Sequence, residues 1–190
     1  MAGVDDASII KSCGIQAPYF LCVSAYDARK NLDTLVSAFD AARLPDHQLV
    51  IVADRRGTHR EHQARWSTLP AFARLVTLEI APASLPALYR NAEACINPSR
   101  WESFGFQLVE AMACGTPVVS SNAKALPEIA GDAAEYFDPD RPLELAKLLQ
   151  RLVHDRSRLD DLRNAGRRRI QRFSWADTVE RTVELYRRAS

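Results

Sequence analysis

The chain lacks any apolar run long enough to cross a bilayer, and its first residues lack the basic stretch and apolar core of a secretory signal. Both absences point to the cytoplasm. An excess of one charge is missing too: 25 Lys and Arg face 24 Asp and Glu, a net charge of +1. Bulk electrostatic attraction to nucleic acid or to a membrane is therefore not expected. Cysteine is sparse, with four residues at 13, 22, 95 and 114 and no Cys-x-x-Cys pair, so buried free thiols are expected rather than a disulfide framework or a zinc site. The histidines at 47, 59, 62 and 154 are scattered, and none is assigned a role. His59 and His62 share a helix face but have no third ligand nearby, so no metal site is expected. No Gly-x-Gly-x-x-Gly follows the first apolar run, which removes a dinucleotide-dependent dehydrogenase. No internal repeat or low-complexity segment is visible.

What is present is a regular alternation. A chain of 190 residues with 47% apolar content can bury one substantial core, so one domain is expected. Residues 1–17 read as a polar lead-in without a clear period, closed by Pro18, and residues 18–190 as the domain. Short apolar runs at 19–24, 49–53, 75–80, 94–97, 116–120 and 134–137 suit buried parallel strands. Helical patterns lie between and after them: one ending near 43 with Leu32, Leu35, Val36 and Phe39 on one face, then about 58–67, 84–92, 103–114, 142–154, 157–172 and a last one through Tyr186. The order predicts an α/β fold, a Rossmann-like doubly wound parallel sheet of about six strands, whose ligands bind beyond the carboxyl ends of the strands.

The most informative stretch is 97–121, NPSRWESFGFQLVEAMACGTPVVSS. It holds two carboxylates, Glu102 and Glu110, on and before a helix that Ser103 is expected to cap and Gly115 to end. At about 100 degrees per residue, Leu108, Val109 and Met112 face a core while Glu110 faces outward with Phe106 and Ser103. Gly105 removes a side chain where the free N–H groups of the first turn and the positive end of the helix dipole lie, so a phosphate or polar sugar can come close. Upstream, the loop Ala25-Tyr26-Asp27-Ala28-Arg29-Lys30-Asn31 follows the first strand and carries Lys30, one of four lysines, a compact charge suited to phosphate oxygens.

Taken in order, Pro98-Ser99, Glu102-Ser103-Phe104-Gly105-Phe106, Glu110-Ala111-Met112-Ala113 and Gly115-Thr116-Pro117-Val118-Val119 resemble the Glu-x7-Glu signature of retaining GT-B glycosyltransferases, the group 1 family. Lys30-Asn31, Pro127-Glu128-Ile129 and the closing Phe173-Ser174-Trp175 segment extend the resemblance from Tyr19 to the end of the chain, over the second half of such enzymes. It implies the donor-binding half of a GT-B fold, with an N-terminal acceptor-binding domain absent and supplied by a longer enzyme or a partner chain. The implied activity is transfer of a sugar from a nucleoside diphosphate sugar, GDP- or UDP-linked, to an acceptor hydroxyl with retention, in cell-surface polysaccharide or glycolipid synthesis. The Arg-Lys-Asn loop leans towards GDP-mannose and so towards a mannosyltransferase.

The resemblance also implies site residues. Lys30 holds the diphosphate together with the N–H groups of Phe104, Gly105 and Phe106, and Ser103 belongs to the same donor-binding stretch; Glu110 takes the ribose hydroxyls; Glu102 lies beside the donor sugar; Glu79 and Ile80 flank the base. No metal and no cofactor beyond the substrate are implied. Two departures stand out. Ser24-Ala25 occupies the place of a Gly-Arg pair, leaving Arg29 as the candidate second cation, and Leu78 replaces a glycine before the base-binding pair. The arginines at 163, 167, 168, 169 and 172 form a basic face open to two readings, plain solvent or anionic lipid at the inner membrane face in the full enzyme. A non-catalytic nucleotide-sugar-binding module and a GT-B-type nucleotide-sugar epimerase remain alternatives. A phosphorylase would need a pyridoxal-binding lysine, and none of the four lysines has a suitable setting.

Overall fold

A computed structural model describes residues 6–16, 18–54 and 58–189. Of the lead-in and the domain as read from sequence, residues 1–5, 17, 55–57 and 190 lie outside this part. The elements in chain order are α1 (Asp6–Ser12), β1 (Tyr19–Ala25), α2 (Leu32–Ala42), β2 (Gln48–Asp54), α3 (His59–Trp66), β3 (Leu75–Leu78), α4 (Leu85–Asn91) and β4 (Ala94–Asn97). There follow α5 (Phe106–Ala113), β5 (Val118–Ser121), α6 (Leu126–Ala130), β6 (Ala134–Phe137), α7 (Pro142–His154), α8 (Arg156–Ile170) and α9 (Trp175–Ala189).

The strands form one parallel sheet in the order β3-β2-β1-β4-β5-β6. The chain winds outward from β1 to β3, then returns to place β4 on the other side of β1, so the winding direction reverses between β1 and β4. Both faces of the sheet are covered, which explains why its strands read as unbroken apolar runs. Successive residues of β1 point to opposite layers. Phe20 and Cys22 join Leu35, Phe39, Leu145 and Leu149 beneath α2 and α7, whereas Tyr19 and Leu21 join Leu88, Leu108, Met112 and Leu126 beneath α4, α5 and α6. The thiols of Cys22 and Cys95 are wholly buried and free, and burial pushes that of Cys22 up to about 12.

The structure departs from the sequence reading in four places. The lead-in contains α1, which packs Ile9 and Ile10 against the second layer and ties Asp6 to Arg90 at 2.9 and 2.7 Å, a tertiary anchor that short-range periodicity does not reveal. Two strands are shorter than expected: β3 stops at Leu78, and β5 starts at Val118. The helix expected from Ser103 begins at Phe106, because Gly105 in a left-handed conformation (φ 91°, ψ 58°) is its N-cap and Ser103 makes no capping bond.

Two histidines that were assigned no role are structural. At the amino end of the sheet His47 and Glu93 form a buried pair at 2.8 Å, with Phe20 stacked on the imidazole. On α3, His62 meets Asp33 at 2.7 Å within an aromatic group that includes Tyr26 and Trp66. The arginines of α8 are partly engaged by the protein itself: Arg169 donates to the carbonyls of Ile129 and Glu128 at the end of α6, and Arg163 pairs with Asp160 at 2.6 Å.

Candidate active site

Three loops leave the carboxyl ends of β1, β4 and β6 side by side, and one buried asparagine joins them. After β1, Asp27 accepts a hydrogen bond from the Arg29 N–H at 2.8 Å and caps a short 3-10 turn, Ala28–Lys30. Asn31 then adopts the left-handed region (φ 56°, ψ 36°), which asparagine tolerates better than most residues, and turns the chain into α2. Its amide nitrogen donates to the carbonyls of Pro98 (3.1 Å) and Pro139 (2.8 Å), and its oxygen accepts from Thr34 (2.7 Å) and from the Arg100 guanidinium. Arg100 adds its own N–H to the Arg29 carbonyl at 2.8 Å and its side chain to Asp140 at 2.9 Å. The loops that carry Lys30 and Glu102 are thereby held as one body.

Within this body the Lys30 ammonium meets Glu102 Oε1 at 2.5 Å, with side chains only 13% and 11% exposed. The same oxygen accepts from the Ser99 hydroxyl at 3.0 Å. Ser99 is itself buried: its N–H donates to Asn97 Oδ1 at 3.1 Å and its carbonyl accepts from Ser121 at 2.5 Å. Behind Glu102 the chain turns at Gly105, where a Cβ would lie 2.6 Å from the Leu126 side chain, so both the conformation and the space call for glycine. At the start of α5 the N–H groups of Phe106 and Gln107 precede the first carbonyl the helix can offer, and the positive end of its dipole lies at this end, just after Glu102 in the chain; the next N–H, of Leu108, turns back to the Gly105 carbonyl at 3.0 Å.

Glu110 lies one turn further along α5, on its exposed face with Phe106, as the helical spacing predicts. Its Oε2 accepts from the Tyr89 hydroxyl of α4 at 2.8 Å. Burial, with a further push from the nearby Cys95 and Glu110, raises the Tyr89 phenol far above its ordinary pKa, so it stays a donor.

Arg29 is more exposed. Its guanidinium grips the Asp27 carboxylate at 3.1 Å and lies 5.8 Å from the Trp101 ring, and the bond to Asp27 raises its pKa while lowering that of Asp27. Ser103 is exposed, and Phe104 packs between Phe106 and Phe173. Glu79 and Ile80 lie just past the edge strand β3, Glu79 in solvent and Ile80 half-buried against the second layer. Among the described residues no hydrogen bond or ion pair joins them to Lys30, Glu102 or Glu110. The chain's one Asp-x-Asp, Asp138-Pro139-Asp140, follows β6, and its carboxylates pair with Arg141 and Arg100. Among the described residues no cluster of three His, Cys, Asp or Glu side chains has a geometry that could hold a metal ion.

Five contributors escaped the sequence reading. Tyr89 lay inside the helix expected at 84–92 with no role given to it, Asn31 was read only as the partner of Lys30, and Arg100 and Trp101 carried no signal. Ser99 stood in the sequence only as part of the Pro98-Ser99 match to the family, with no role of its own.

A parallel sheet of order 3-2-1-4-5-6 with its polar cluster beyond β1 and β4, at the reversal of winding, is the arrangement of Rossmann-like nucleotide-binding domains. The chain belongs to the glycosyl transferases group 1 family, whose model it matches over residues 9–169. It is 28% identical over 175 residues to the O-antigen chain mannosyltransferase B of Escherichia coli, covering 89% of this chain and 45% of that protein. It is 30% identical over 203 residues to the alpha-maltose-1-phosphate synthase of Mycolicibacterium smegmatis, covering 97% and 52%. The chain thus spans about half the length of these relatives.

Among solved structures, the sucrose-phosphate synthase of Thermosynechococcus elongatus superposes with a TM-score of 0.82 at 29% identity, over 96% of this chain and 48% of that one. The C-terminal domain of a group 1 family glycosyl transferase from Francisella tularensis, solved alone, gives 0.75 at 18% identity, over 89% and 97%. The fold is that of the C-terminal half of GT-B glycosyltransferases.

Proposed function

We propose that this chain is the donor-binding half of a retaining glycosyltransferase that moves a sugar from a nucleoside diphosphate sugar to an acceptor hydroxyl. The observation that carries the reading is the meeting of Lys30 and Glu102 beside the α5 N-terminus, at the reversal of the sheet. Breaking the glycosidic bond of such a donor leaves negative charge on the diphosphate. Groups fixed in place before reaction lower that barrier most, because they need not reorganise. Lys30 and the first-turn N–H groups of α5 supply fixed positive features at one spot, and Arg29 adds a second cation that a phosphate would share with Asp27. In this reading Glu102 gives up Lys30 to the diphosphate and turns to the donor sugar, steadying positive charge at the anomeric carbon. Glu110 takes the ribose hydroxyls, and Glu79 and Ile80 flank the base. The donor is then held without a metal ion.

Two of the relatives, the Escherichia coli protein and the MMP alpha-(1->4)-mannosyltransferase of Mycolicibacterium hassiacum, are named for mannose transfer, which supports a GDP-mannose donor and a role in surface polysaccharide assembly. The acceptor would come from the half of the enzyme that this chain does not span. Trp175, Val179 and Tyr186 form an exposed apolar stripe on α9, 74%, 59% and 72% exposed, suited to packing against that half. No described helix is long and apolar enough to cross a membrane. A second reading, a nucleotide-sugar-binding module completed by a partner chain, is favoured by the same half-length coverage.

Calorimetric titration with UDP, GDP and ADP, and with one sugar conjugate of each, in metal-free buffer tests the proposal. One nucleotide should bind, and Lys30→Ala and Glu110→Ala should both weaken it. Binding that neither substitution affects would overturn the site, and binding that appears only with added metal would overturn the metal-free reading.

A further inference from the structure

Glu110 poses a problem of precision. A glutamate on an exposed helix face samples several rotamers, yet recognition of two neighbouring hydroxyls needs a carboxylate with a fixed plane. The structure contains a device that fixes it. Tyr89 is 1% exposed, and its hydroxyl donates to Glu110 Oε2 at 2.8 Å. The tyrosine cannot drift, because its backbone carbonyl accepts from the Thr116 hydroxyl at 2.6 Å and from the Ala92 N–H at 3.1 Å, and its ring is packed in the second core layer. An ionised carboxylate accepts only, so the direction of the bond is set, with the phenol as donor. Oε1 has no hydrogen-bond partner among the described residues.

We propose that Tyr89 is a positioning residue for nucleoside recognition: its buried hydroxyl holds one oxygen of Glu110 so that the other is presented to the ribose hydroxyls of the donor. The inference rests on the donor-site reading above and adds to it the residue that makes the carboxylate selective. It follows that discrimination between a ribonucleoside diphosphate and its 2′-deoxy analogue depends on Tyr89, a residue that touches neither ligand.

The test is titration of the chain with the nucleoside diphosphate it prefers and with the 2′-deoxy form, in wild type, Tyr89→Phe, Glu110→Ala and the double variant. Wild type should bind the ribonucleotide about tenfold or more tightly than the deoxynucleotide, the scale of one hydrogen bond to a charged group. Tyr89→Phe should bring that ratio to about two by weakening the ribonucleotide alone, and should add nothing in the Glu110→Ala background. General damage to the fold would weaken both ligands by one factor and would add to Glu110→Ala, so either result overturns the inference, as does an unchanged ratio in Tyr89→Phe. A wild type that binds no nucleoside diphosphate overturns the donor reading itself, and the inference with it.

Discussion

Lys30 and Glu102 are 72 residues apart in the chain, yet their charged groups lie 2.5 Å apart at the carboxyl edge of the sheet. The contact exists because β1 and β4 are neighbours in the sheet although β2 and β3 intervene in sequence. Each group satisfies the other, so neither is left as an unpaired, largely buried charge.

Removing one partner should therefore cost more than removing both. Lys30→Met or Glu102→Leu alone should destabilise the chain by about 3 kcal/mol, because the remaining charge is held in a mostly buried place, whereas the double variant should lose less than either single one. Urea unfolding of the four proteins gives the coupling directly. Additive losses would show that the pair is solvated and energetically independent.

Gly105→Ala tests a different kind of constraint. A left-handed conformation costs an L-residue about 1–2 kcal/mol, and here the new Cβ would also meet Leu126 Cδ2 at 2.6 Å. The variant should unfold at lower temperature and bind donor more weakly, since the turn aims the first N–H groups of α5. Adding Leu126→Ala should relieve the contact but not the backbone strain, so the double variant should show no regain of donor affinity beyond the part owed to sterics.

Ser99→Ala should separate the two parts of the donor. Among the described residues the Ser99 hydroxyl donates to the Glu102 carboxylate alone, so the affinity for the nucleoside diphosphate should hardly change. The extra affinity conferred by the attached sugar should fall about fivefold, the effect of a hydrogen bond worth about 1 kcal/mol. Paired titrations with and without the sugar read this, and equal losses for both ligands would place Ser99 in general folding instead.

The acid limb of stability should depend on Asp33. Partial burial alone would raise its pKa, but hydrogen bonds from His62 and Trp66, with the charges of His62 and Arg65, outweigh that and hold it below the ordinary value. A carboxyl whose folded pKa is lowered contributes stability that is present above its unfolded pKa of about 3.9 and is lost as pH falls through the folded value. Asp27 and Asp6, bound to Arg29 and Arg90, act in the same sense. Urea midpoints should fall steadily below about pH 4, and Asp33→Asn should flatten part of that slope.

Periodicity located every strand and most of the helices, because apolar runs and helical faces are local properties of the chain; it did not reveal α1 or the short α6. The outward placing of Glu110 was legible for the same reason: helix geometry converts spacing into direction. The start of α5 was not. Ser103 and Gly105 are both good N-terminal residues, and what decides between them is a left-handed turn packed against Leu126, the first residue of the later helix α6.

The architecture follows from local patterning, and the kind and spacing of their neighbours bring Lys30, Glu102 and Glu110 to attention. What each of them touches is a matter of how the elements pack. The order of strands in the sheet made Lys30 and Glu102 partners, Asn31 bound three loops into one body through two proline carbonyls, and α4 supplied the phenol beneath Glu110. Such contacts join residues far apart in the chain, and a hydrogen bond needs an approach within about 3 Å, which spacing along a sequence does not encode.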